Sequence, residues 1–329
     1  MPARILTPGP DLAHDPAIAE AAALLRAGEL VAFPTETVYG LGADATNPAA
    51  VERLYAVKGR PADNPSIVHV GTNEAILRVG VVDGRAVALL KRFWPGSLTM
   101  VIPSIEPVRS AMGRGLETVA VRMPGHPVAL ALLHAAGIPV AAPSANRSGR
   151  PSPTTAQHVF DDLGDAISLI LDGGPCAVGI ESTVVDLTTI PARVLRPGLI
   201  SAADIGEVLG EAVLDGPDIE GRSPGTRHPH YRPQVPVVLL ERDAPDSTWR
   251  AAAAPFAGRP LGVIASRERE LGIDPTQAHW RIARHAEALT RNLYAYLREL
   301  DALGVAGILV EGVDPREPVM ERLRRAAQT

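Results

Sequence analysis

Leu30–Ala45 reads LVAFPTETVYGLGADA. Its first four residues form a short apolar strand stopped by Pro34. Gly40, Gly42 and Ala45 then match the G-x-G-x-x-A pattern of a dinucleotide-binding turn, with Asp63 about 20 residues further on. Taken at face value, the match opens the chain as a doubly wound parallel sheet. Two features argue against it. Pro34–Thr37 separates the glycines from the strand, and Pro48 interrupts the helix that should follow. The glycines are therefore read as part of a tight turn. A nicotinamide-dependent oxidoreductase, which would rest on this match alone, is set aside.

Working outward, the spacing of Ile18, Ala22 and Leu25 predicts a helix over 15–27, ended by Gly28. Downstream, a helix is expected near 48–57, a strand at 66–70, a helix at 86–93 and strands at 98–103 and 118–124. A helix over 127–137 ends at a glycine and leads into the strand GIPVAA. A helix near 155–163 and strands in SLILDG, STVVDL and ARVLRPG follow. These elements lack strict strand–helix alternation, so the fold class is α/β with a twisted mixed sheet and helices packed on it.

From Asp215 to Pro236 the chain is rich in proline and glycine with no hydrophobic period, which marks a linker. Three segments follow: a first domain over 1–214, a linker over 215–235 and a smaller domain over 236–329. In that last part, strands at 236–241, 261–266 and 307–312 alternate with helices over 285–303 and 315–327, which predicts a small open α/β sheet.

Of 329 residues, 46% are hydrophobic, 21% charged and 4% aromatic, so the core is built from Ala, Val, Leu and Ile. A net charge of −5 with pI near 6.0 argues against a surface made to grip nucleic-acid backbone. The scarcity of aromatics argues further against an RNA-binding module, the alternative carried beside an enzyme. Cys176 is the single cysteine, which rules out an internal disulfide and a multi-cysteine zinc site. His228 and His230 lack further ligands, so no metal site is assigned to protein residues, and no organic cofactor is expected. No apolar run reaches the roughly 18 residues of a membrane span, and a cytoplasmic location is the simplest reading.

Polar residues gather at strand ends, where α/β sheets build sites. Thr35, Glu36, Thr37 and Tyr39 follow the first strand. Lys58, Arg60 and Asn64 lie in KGRPADN, where i, i+2 spacing in an extended segment turns both cations to one face. Arg122 stands inside the apolar pattern TVAVRMP and needs an anionic partner, either a structural carboxylate or a ligand. Ser144, Asn146, Ser148 and Ser152 crowd PSANRSGRPSPTT, and Ser182 and Arg196 repeat the theme. The set offers hydroxyls, amides and cations without a catalytic cysteine or a Ser-His-Asp order. It suits nucleotide-dependent transfer without a covalent enzyme intermediate.

FPTETVYGLG, KGRP…NPSIVHV, FWPGSLTMVIP, VAVRMP, PSANRSGRPSPTT, ESTVVDL and LRPG together resemble the YrdC-like family, in the same order. SPGTRHPHYRP (223–233) is similar to the linker of its two-domain form, the L-threonylcarbamoyladenylate synthases. It departs from their more usual SPGMRYRHYAP at Thr226, His228, Pro229 and Arg232. The resemblance covers about residues 15–235 densely, and the last hundred match only in strand–helix pattern. It implies a YrdC-like sheet and a Rossmann-like C-terminal domain. It also implies a reaction in which L-threonine, bicarbonate and ATP, with Mg²⁺, give threonylcarbamoyl-AMP and pyrophosphate. Partner proteins would then transfer the group to a tRNA adenosine, the chain itself binding tRNA at most weakly.

By the same resemblance, Thr37, His69, Arg122, Ala142 and Ser182 surround threonine, Arg122 as carboxylate partner and His69 as an orienting hydrogen-bonder. Arg60, Asn64, Thr118, Ser144, Asn146, Ser152 and Arg196 contact ATP. Lys58 joins Arg60 beside the phosphates, and the two are the candidate catalytic cations. Pro34 and Tyr39 shape the pocket, and Tyr231 closes over the nucleotide as part of a linker lid.

Overall fold

The computed structural model describes residues 2–61, 63–112, 116–216, 222–223 and 231–327. Most of the predicted linker, including His228 and His230, lies outside the described residues. The chain divides into two compact units, the first made of residues 1–148, 153–177 and 181–228. The second comprises 229–329 with the short segments 149–152 and 178–180.

The first unit is built on one mixed sheet of eleven strands. In chain order they are β1 (Arg4–Leu6), β2 (Val31–Phe33), β3 (Gly40–Asp44), β4 (Ile67–His69), β5 (Leu98–Pro103) and β6 (Thr118–Arg122). There follow β7 (Val140–Ala141), β8 (Leu169–Leu171), β9 (Thr183–Asp186), β10 (Arg193–Arg196) and β11 (Leu214–Asp215). Their spatial order is β1-β8-β2-β3-β7-β4-β6-β5-β9-β10-β11. β2, β3, β7 and β4 pair antiparallel in succession, whereas β4 and β6 run parallel.

The stretch 30–45 is thus a hairpin, not a strand–turn–helix. Gly40 and Gly42 lie in β3 rather than in a tight turn, which corrects the expectation. Their role is steric: a Cβ on Gly42 would sit 3.0 Å from Phe33 Cε1 and 3.0 Å from Val140 Cγ1. The glycines leave room for Phe33 on the adjacent strand.

Alternation along β2 separates two cores. Val31 and Phe33 join Leu169, Leu171 and the helices α1 (Pro16–Arg26) and α5 (Pro127–Ala136). Ala32 and Ile170 face the other side, with α2 (Pro48–Lys58), α3 (Gly84–Phe93) and α6 (Ala156–Leu163). Asp15 caps α1 through Oδ1, Asn47 caps α2, and Gly59 ends α2 in the left-handed region at φ 60°. The unit also contains α4 (Val108–Met112) and α7 (Ala202–Leu209), which the sequence reading passed over.

The second unit carries four parallel strands, β12 (Val237–Leu240), β13 (Leu261–Ala265), β14 (Ala278–Ile282) and β15 (Ile308–Glu311), in the order β12-β15-β13-β14. Its helices are α8 (Asp246–Ala253), α9 (Ala286–Ala302) and α10 (Pro318–Ala326). The open α/β sheet is as expected, with β14 and α8 added. Among the described residues no helix is long and apolar enough to cross a membrane.

Candidate active site

The loop between β2 and β3 is shaped by one hydroxyl. Thr35 Oγ1 donates to the Val38 carbonyl at 2.6 Å and accepts from the amides of Thr37 and Val38 at 3.2 Å each. This side-chain turn presents Thr37, whose Oγ1 lies 2.8 Å from Thr35 Oγ1. Because the Thr35 proton goes to Val38, Thr37 is the donor between the two. Arg122 Nη1 in turn donates to Thr37 Oγ1 at 2.9 Å. Thr37 therefore keeps one acceptor lone pair.

Arg122 ends β6, in register with His69 at the end of β4. Its Nε donates to the Gly96 carbonyl at 3.0 Å, and its Nη2 lies 2.6 Å from Glu36 Oε1. The anion that an arginine in this apolar strand requires is Glu36, a strand-end residue to which the sequence assigned no partner. Glu36 also accepts from the Gly125 amide at 2.9 Å and the Ser97 hydroxyl at 3.1 Å. Burial pushes its carboxyl up, but the Arg122 guanidinium outweighs this and holds it below the ordinary value. His69 is 3% exposed, edge-on to Phe33, and its Nδ1 has no hydrogen-bond partner among the described residues. Burial, and then the charge of Arg122, bring its pKa down to about 3, so the imidazole is neutral at physiological pH. Cys176 is buried and its thiol is pushed up, chiefly by burial. That matches an inert small side chain.

A second polar group gathers where α2 ends. Lys58 Nζ donates to the carbonyls of Ser144 and Asn146, each at 2.5 Å, and its own carbonyl accepts from the Ser148 amide at 2.9 Å. The buried ammonium thus pins the loop after β7. Within that loop Ser144 Oγ donates to Asn146 Oδ1 at 2.5 Å. Arg60 folds onto its own segment, donating through Nε to the Asn64 carbonyl at 3.0 Å and through Nη2 to Asn64 Oδ1 at 2.9 Å. Arg147, in the same loop, donates to the Asp162 carbonyl of α6 at 2.9 Å.

A third group joins β5, β9 and β10. Ser182 Oγ lies 2.7 Å from Thr99 Oγ1 and accepts from Arg196 Nη2 at 3.1 Å. The Thr183 amide donates to the Ser97 carbonyl at 3.1 Å, which links this group to the one around Glu36. Ala142 donates its amide to Ile67 at 2.8 Å, and Ser144 bridges Gly40. Thr118 opens β6 opposite Pro103, four residues from Arg122 and therefore about 13 Å along the strand. Ser152 and Tyr231 fall in the second unit. There Tyr231 is 4% exposed, has φ 67°, and stacks on Tyr294 with ring centroids 5.2 Å apart.

Residues 23–198 match the Telomere recombination family, Sua5_yciO_yrdC. Residues 200–328 match the threonylcarbamoyl-AMP synthase C-terminal domain. The chain belongs to the Sua5 family. The threonylcarbamoyl-AMP synthase of Pyrococcus abyssi is 43% identical, with 93% of each chain covered. That of Bacillus subtilis is 42% identical, covering 95% of this chain and 94% of its own. The crystal structure of P. abyssi Sua5 complexed with L-threonine superposes with a TM-score of 0.88 at 40% identity, covering 99% of this chain and 98% of that one.

Proposed function

We propose that this chain is an L-threonylcarbamoyladenylate synthase, a nucleotidyltransferase acting on L-threonine, bicarbonate and ATP. The observation that carries the reading is its whole-length likeness to the threonine-bound Sua5 of P. abyssi. The geometry supports it. Thr37 holds an acceptor lone pair toward a donor such as the amine or hydroxyl of threonine. His69, neutral and with Nδ1 unpartnered, orients the same substrate; a pKa near 3 makes it a poor base at neutral pH. Arg122 is already balanced by Glu36, so a threonine carboxylate would share its cation with that residue. Ala142 and Ser182 complete the threonine set.

In the proposed reaction the threonine nitrogen and bicarbonate condense to a carbamate with loss of water. A carbamate oxygen then bonds to the α-phosphorus as the bond to the β-phosphate bridging oxygen breaks, releasing pyrophosphate. Such a step asks for in-line placement and charge neutralisation. Arg60, Asn64, Thr118, Ser144, Asn146 and Arg196 of the first unit are proposed to hold ATP. Lys58 is proposed to act by fixing the loop that presents Ser144 and Asn146. Among the described residues no three His, Cys, Asp or Glu side chains converge. Mg²⁺ is proposed to enter with ATP as MgATP, where it would help neutralise the phosphate charge. Partner proteins would pass the threonylcarbamoyl group to tRNA. Pyrophosphate release measured with threonine, bicarbonate or both tests the reading: both should be required, and release indifferent to threonine would sink it.

A further inference from the structure

The second unit holds a cavity of about 880 Å³ that the reaction above does not use. It is walled by the loops that follow all four parallel strands. Those loops meet at the carboxyl edge of the sheet, where open α/β sheets bind ligands. β13 and β15 are neighbours whose connections leave in opposite directions, to β14 and to α10 beside β12, so the cavity lies over the switch point. There the Ser266 amide donates to Glu311 Oε2 at 2.6 Å.

Its charges are unevenly spent. Arg267 and Arg284 line it and make no hydrogen bond or ion pair among the described residues, whereas Arg242, also in the lining, lies where its charge acts on Asp314. α9, seventeen residues long, begins at the cavity. His285 Nδ1 accepts from the Ala288 amide at 3.2 Å, leaving the amides of Ala286 and Glu287 without an acceptor among the described residues. A fourth guanidinium, Arg269, has a side chain only 7% exposed; it pairs with Glu311 and with Asp246 at 3.3 Å. It lies 4.9 Å from the Trp249 ring, and its buried Nε has no hydrogen-bond partner among the described residues. Free guanidinium groups beside a helix N-terminus select a phosphate or similar anion. Asp243 and Glu317 also line the cavity without an ion-pair partner among the described residues, and Asp314 lines it paired with Arg316. They would repel a bare polyanion and accept from hydroxyl groups.

The geometry points to a binding site for a phosphate monoester with a hydroxyl-bearing body, separate from the proposed catalytic residues of the first unit. Sugar phosphates and nucleoside monophosphates share that chemistry. Hydrogen–deuterium exchange on the full chain, read by mass spectrometry, reports the two units independently. The probes are ribose 5-phosphate, AMP and inorganic phosphate at millimolar concentration. Ribose 5-phosphate, AMP or both should slow exchange at least about threefold in peptides spanning 266–270 and 283–290. The doubly substituted Arg242→Ala, Arg284→Ala chain should lose that protection. Any AMP protection over 58–64 and 144–148 should remain, which shows that the chain is folded. Protection by AMP alone identifies a nucleotide, and equal protection by both esters identifies the sugar phosphate as the recognised part. No protection there by any probe overturns the site, as does equal protection by inorganic phosphate, or protection that survives the double substitution.

Discussion

Arg122 and Glu36 are 2.6 Å apart, with side chains 4% and 16% exposed. Removing one leaves the other charge buried and uncompensated, at a cost of about 3–5 kcal/mol. Urea unfolding should show Arg122→Met and Glu36→Gln each strongly destabilising and the double variant losing less than their sum; additive losses would contradict the coupling. His69 gives a pH signature of known sign. Its unfolded value is 6.5 and burial beside Arg122 lowers it to about 3, so between these the unfolded chain binds the extra proton. Stability contributed by the neutral imidazole is therefore present above 6.5 and lost as pH falls toward 3. Relative to His69→Asn, the native chain should lose about 1.4 kcal/mol more per pH unit across that window. Equal slopes would place a solvated histidine there. That Arg122 needs an anion was legible from one apolar strand. Which anion was not, because Glu36 reaches it only through the hairpin loop.

Within elements, apolar runs bounded by proline and glycine were enough to locate β2, β4, β5, β6 and the helices α1, α2, α3 and α5. The misses have physical causes. β1 and β11 are short and largely exposed, and β14 is half-buried throughout, so neither an apolar run nor alternation marks them. α7 did carry a signal: Ser201 and Asp204 form a capping box ahead of it. Gly40 and Gly42 were misjudged because a glycine that makes room for a neighbouring ring looks, in sequence, like one that turns the chain. Gly42→Ala would set its Cβ 3.0 Å from both Phe33 and Val140. It should cost about 1–3 kcal/mol by chemical denaturation. Unchanged stability would mean that the hairpin yields there without strain.

At the scale of the whole molecule, the proline- and glycine-rich stretch announced two sheets before any strand order was known. The strand orders, and the cavity at the carboxyl edge of the smaller sheet, depend on pairings between distant segments and could not be read in advance. The proposed product is a mixed anhydride joining threonine, a carbonyl carbon and AMP. The most direct test incubates the full chain with ATP, L-threonine and ¹³C-bicarbonate and identifies the nucleotide product by mass spectrometry. Threonylcarbamoyl-AMP carrying one ¹³C is expected, formed together with pyrophosphate. Nucleotide turnover that yields only unlabelled AMP or ADP would contradict it.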